Sequence, residues 1–80
     1  MKLKLGDPVR IDWEDAWSNS NAYFTFKNIK EEKPYIGHAV GELIQNDRSG
    51  MTVAIECFGN RHRHIEHIPR SLIRKVKRLR

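Results

Sequence analysis

The chain has 80 residues, 39% of them hydrophobic and 31% charged, with a formal net charge of +5 and one cysteine. That length sets one domain over 1–80, burying about 60–65% of the surface its unfolded chain would expose, which leaves no room for a deep enclosed active site. The composition is that of a folded chain, the apolar runs are too short to span a membrane, and Cys57 cannot form an internal disulfide.

The start, MKLKLGDPVRIDW, is basic but lacks the apolar stretch of a signal peptide, so the expected location is cytoplasmic. Gly6-Asp7-Pro8 is turn chemistry, with a proline that fits a strand entrance. Val9 to Glu14 then alternates without a break. Val9, Ile11 and Trp13 face one way and Arg10, Asp12 and Glu14 the other, as a half-buried strand requires. Asp15 to Asn21 is small and polar and predicts a loop, in which Trp17 is either a lid or an exposed aromatic. Ala22 to Phe26 reads as a short aromatic strand or packed loop segment, and KNIKEEKP after it as a charged, exposed stretch.

Tyr35 to Gln45 predicts a second strand, with Gly37 and Gly41 inside it marking bulges or sharp bends. Asn46 to Gly50 is a hairpin turn signal. Met51 to Phe58 alternates again, predicting Met51, Val53, Ile55 and Cys57 inward, with Cys57 a small buried hydrophobe. Gly59-Asn60 makes the next tight turn and Arg61 to Ile68 runs back. At the end, Leu72, Ile73, Val76 and Leu79 fit an amphipathic basic helix capped by Ser71. The alternative is a 3₁₀ turn over Pro69 to Leu72 followed by a last short strand. We favour it, because so small a sheet exposes its edges unless a terminal strand closes it into a barrel.

Taken together, these elements look like an SH3-like small barrel: mainly β, about five antiparallel strands, with a 3₁₀ turn before the last. RIDWEDAW near the start, IPRSLIRKVKRL at the end and IGHAVGELIQND between them resemble small uncharacterised proteins of tailed phages and prophages, in which a Trp-x-Asp-Ala motif closes the first strand. The resemblance implies origin and fold, and for a phage-encoded chain the host cytosol, but no activity. SH3-like barrels host many functions. No ALYDY-like stretch is present, so proline-rich peptide binding does not carry over.

Charge is unevenly spread. Residues 61–80 hold eight Lys and Arg against Glu66 alone, an excess of +7, while residues 1–60 hold seven against nine acids. Arg61, Arg63, Arg70, Arg74, Lys75, Lys77, Arg78 and Arg80 are therefore candidates for nucleic-acid phosphates, although the same charge also serves solubility. Phe58 is the one ring near this block, which gives base stacking little support. Trp17, Tyr23 and Tyr35 are candidates for contacting a host or virion protein. Sequestering a small anionic ligand is a third possibility and would need an oligomer.

His62 and His64, two apart with Glu66 next, could present zinc donors on one strand face. Arg61 and Arg63 crowd that segment, and two further ligands, from His38 or His67, would have to converge. No metal, cofactor or catalytic set is expected. The carboxylates of Asp12, Glu14 and Asp15 lie where pKa tuning is weak, and no nucleophile–base pair, phosphate loop or HExxH occurs. The expectation is a non-catalytic accessory protein binding through a basic barrel face.

Overall fold

The computed structural model describes residues 2–15 and 35–80. Within them run β1 (Pro8–Asp15), β2 (Tyr35–Asp47), β3 (Gly50–Phe58), β4 (Arg61–Pro69), a 3₁₀ turn (Arg70–Leu72) and β5 (Ile73–Arg78). All five strands are antiparallel neighbours in one sheet, ordered β4-β3-β2-β1-β5. The chain ends in a strand and not in a basic helix. Among the described residues β4 and β5 do not pair, so the sheet is open and the barrel closure expected from the sequence is not observed.

The core lies on one face. Val9 and Ile11 of β1, Ala39 and Leu43 of β2, Met51 and Val53 of β3 and Ile68 of β4 are buried, with Leu3, Trp13, Leu72, Ile73 and Val76 packed against them. Burying each large aliphatic side chain contributes about 1.5–3 kcal/mol. The turn before β1 is tied to β2 by Gly6 N donating to Leu43 O at 2.8 Å and Leu43 N to Asp7 O at 2.9 Å.

Two expectations about the interior need correction. Ile55 is 68% exposed and Cys57 is exposed as well, although both continue the alternation of Met51 and Val53. The cause is where β2 and β3 part: their pairing ends at Glu42↔Ala54, β2 continues paired with β1 alone, and the rest of β3 pairs only with β4. From Ile55 to Ile65 the two strands form a ribbon beyond the β2 pairing, with no further strand paired to it among the described residues. Ile65 is exposed there too.

Gly37 and Gly41 are not bulges either. The β1–β2 register runs unshifted from Pro8↔Glu42 to Asp15↔Tyr35. The irregularity lies between Leu43 and Gln45, where Ile44 is the extra residue opposite β3. The glycines instead make room. A Cβ on Gly37 would stand 2.7 Å from the Trp13 ring, and one on Gly41 would stand 2.6 Å from the Ala54 carbonyl oxygen.

The β2–β3 turn is fastened from two directions. Asp47 Oδ1 accepts from Ser49 N at 2.8 Å and Ser49 Oγ at 2.6 Å, while its Oδ2 accepts from Gln45 Nε2 at 2.6 Å. From the 3₁₀ turn, the Arg70 guanidinium donates to Asn46 Oδ1 and to the carbonyls of Asp47 and Gly50. Thr52, the one buried polar side chain described, donates to Gln45 Oε1 at 3.1 Å and lies 2.7 Å from His67 Nδ1.

Candidate functional site

The eight C-terminal cations do not gather on one face. Arg70 is committed to the β2–β3 turn as described. Arg74 donates to Glu14 Oε2 and to Ser71 O, and Arg78 donates to Lys2 O. Arg63, on the ribbon, donates to Glu56 Oε2 at 2.7 Å with its guanidinium 5.5 Å from the Phe58 ring centre. Arg61 stands beside it at the start of β4, and Arg80 is the last residue of the chain. Lys75 and Lys77 alternate with the core residue Val76 on β5, so both leave the outer face.

On that outer face the register brings a compact set together. Lys77 lies opposite Arg10 and Lys75 opposite Asp12, while β2 places Val40 beside Arg10 and His38 beside Asp12. Arg10, Asp12, Lys75 and Lys77 line a shallow depression. Asp12 Oδ1 accepts from Arg10 Nε at 2.9 Å and lies 2.8 Å from His38 Nδ1. The hydrogen bond with His38, then Arg10, holds the Asp12 carboxyl below its ordinary value against partial desolvation. Among the described residues Lys75 and Lys77 make no ion pair. The depression therefore carries an excess of positive charge with two lysines free to meet an anion.

The second cluster sits on the ribbon. Phe58, Arg61, His62 and Arg63 line a hollow at its tip. His62 lies directly opposite Cys57, and Glu42 reaches toward both from β2. His62 Nε2 is 3.4 Å from Glu42 Oε2. Partial desolvation and then the hydrogen bond to Glu42 push the Cys57 thiol above its ordinary value. His64 does not share this face with His62 as simple alternation predicts. Its backbone takes a left-handed φ of 54°, and its Nε2 contacts Glu56 Oε1 at 2.9 Å, on the Arg63 side.

The aromatic candidates divide. Tyr35 is exposed at the first position of β2, opposite Asp15. Trp17 and Tyr23 lie outside the described residues. Sequence reasoning missed the Glu42–Cys57–His62 convergence. Part of the signal was present, since a two-residue Gly59-Asn60 turn pairs Cys57 with His62, whereas Glu42 comes from another hairpin.

No protein-family model, curated protein or solved structure matches the chain. Among the described residues no helix is long and apolar enough to cross a membrane.

Proposed function

We propose that the chain is a non-catalytic accessory protein of phage type that binds nucleic-acid backbone through the outer face of β1 and β5. The observation that carries this reading is the pair of lysines, Lys75 and Lys77, without an ion-pair partner among the described residues and set beside Arg10 in a shallow cationic depression. Phosphates meeting these cations release condensed counterions, which gives affinity without sequence readout. Arg61 and the Phe58–Arg63 stack on the ribbon offer a second point of contact, with a ring available to a base. The sheet order and the 3₁₀ turn before β5 support an SH3-like arrangement whose last closure is not made. A host-cytosol setting belongs to the same reading.

The test is fluorescence anisotropy with duplex DNA and with RNA at low salt. Wild type binds both, and the double variant Lys75→Glu/Lys77→Glu binds at least about tenfold more weakly. Its log-affinity slope against log salt flattens by about two, the counterion share of two phosphate contacts. Absence of any shift with wild type at low salt overturns the reading.

A protein partner is the second reading, carried by Ile55, Phe58 and Ile65, large apolar side chains left exposed along one ribbon. A nuclease-resistant co-purifying protein, lost in Ile55→Asp, would favour it.

A further inference from the structure

The geometry points to a divalent zinc-class metal site formed by Glu42, Cys57 and His62. We propose that these residues bind one Zn²⁺ per chain with a fourth position open to solvent. This site is separate from the cationic face and does not depend on what that face binds.

Three donors of different type come from three strands. One thiol sulfur, one imidazole nitrogen and one carboxylate oxygen all lie within 4.8 Å of one another. Zinc bonds of about 2.0–2.3 Å place tetrahedral ligand atoms about 3.3–3.8 Å apart. The 3.4 Å between His62 Nε2 and Glu42 Oε2 already falls there, and the other two separations, at most 4.8 Å, need to close by no more than about 1 Å to complete a tetrahedral set. The donor types also select the metal. Magnesium and calcium require oxygen ligands, whereas thiolate with imidazole and carboxylate suits zinc.

Charge agrees with this. Thiolate and carboxylate contribute two negative charges and neutral imidazole none, so a zinc complex is neutral. Without metal the thiol keeps its proton beside Glu42, and binding Zn²⁺ releases that proton as the sulfur–zinc bond forms. Arg61 and Arg63, which argue against a metal in the sequence, line the hollow beside His62, but the three donor atoms converge from Glu42, Cys57 and His62. Arg63 is turned to Glu56 and Phe58, and by strand alternation it leaves the face opposite to His62. The ion would also have a mechanical effect. Glu42 is at the last β2–β3 pair and Cys57 and His62 are on the ribbon beyond it, so the metal would clip the ribbon to β2.

The experiment uses the whole chain, with Zn²⁺ in equilibrium dialysis and Co²⁺ as a spectroscopic replacement. One Zn²⁺ is expected per chain, with a sulfur-to-cobalt charge-transfer band in the near ultraviolet. Cys57→Ser abolishes the band, and Glu42→Gln and His62→Gln each weaken Zn²⁺ binding by more than about tenfold, beyond the lower end of what outer-shell changes cost. His64→Gln and His67→Gln leave it unchanged. Circular dichroism checks that each variant folds, and if Cys57→Ser does not, the wild-type cobalt spectrum alone decides. No stoichiometric uptake, uptake without a thiolate band, or one zinc shared by two chains would overturn the proposal.

Discussion

Trp13 lies across Gly37 on the neighbouring strand, so close that the glycine has no space for a side chain. This contact fixes the end of β1 against β2, and it makes Gly37 a packing requirement. Gly37→Ala forces the indole out of place and costs about 1–3 kcal/mol, the usual range for overpacking. In a domain of this size each 1 kcal/mol lowers the melting temperature by about 4–8 °C. Thermal unfolding followed by tryptophan fluorescence measures it, and an unchanged melt would mean the indole moves without cost.

The open end of the β3–β4 ribbon predicts a sharp contrast two residues apart on β3. Val53→Ala removes buried methyl groups from the core and destabilises by about 1–3 kcal/mol. Ile55→Thr, on the same strand face but beyond the end of the β2 pairing, changes stability by less than about 0.5 kcal/mol. Urea unfolding midpoints of the two variants make the comparison. Equal losses at both positions would place Ile55 in the core.

Much of this arrangement was legible from residues alone, for local reasons. The alternation in β1 and the turn residues 46–50 and 59–60 are each encoded within a few neighbouring side chains, whereas the 3₁₀ turn and last strand followed from the needs of a small sheet and against a local helical pattern. What was not legible depends on partners distant in sequence. Ile55 alternates like a core residue, and only the point where β2 pairing ends decides that it is exposed. Gly37 and Gly41 are single letters whose roles are set by Trp13 and Ala54. The cations of residues 61–80 form one block in sequence but separate onto the ribbon, the 3₁₀ turn and β5. Glu42 joins Cys57 and His62 because it stands at the last β2–β3 pair, next to where the ribbon begins, which no spacing rule contains.

Cationic residues close in sequence therefore separate into structural and available ones. Arg70→Ala removes hydrogen bonds to Asn46 and two carbonyls, and Arg70→Lys cannot restore that fork. Both lower the melting temperature by several degrees, about 1 kcal/mol at this chain length. Lys75→Ala and Lys77→Ala leave the melt unchanged and weaken only polyanion binding. Calorimetry and anisotropy on the same preparations separate the two groups.

Asp47 sets an acid limit. Hydrogen bonds from Ser49 and Gln45 lower its carboxyl from 3.8 to about 2. Because the folded value lies below the unfolded one, the unfolded chain binds more protons between these limits. The Asp47 contribution is complete above about pH 4 and is lost as the pH falls through about 2. Asp47→Asn should reduce the loss of stability between pH 5 and pH 2.5 relative to wild type, as read by urea unfolding at both pH values. A carboxyl titration by nuclear magnetic resonance gives the midpoint directly. A normal midpoint near 3.8 would show that the turn hydrogen bonds do not hold in solution.

An unclosed sheet has two rims, and among the described residues each of β4 and β5 presents one side with no neighbour. Such rims invite other chains to add strands. Here one carries arginines and a left-handed kink at His64, and the other alternates lysine and arginine around a single valine. A copy approaching β5 edge to edge would set like charges side by side and meet repulsion, which added salt weakens. The side chains offered to a polyanion therefore also guard against self-aggregation, and neutralising them for the sake of one property would surrender the other.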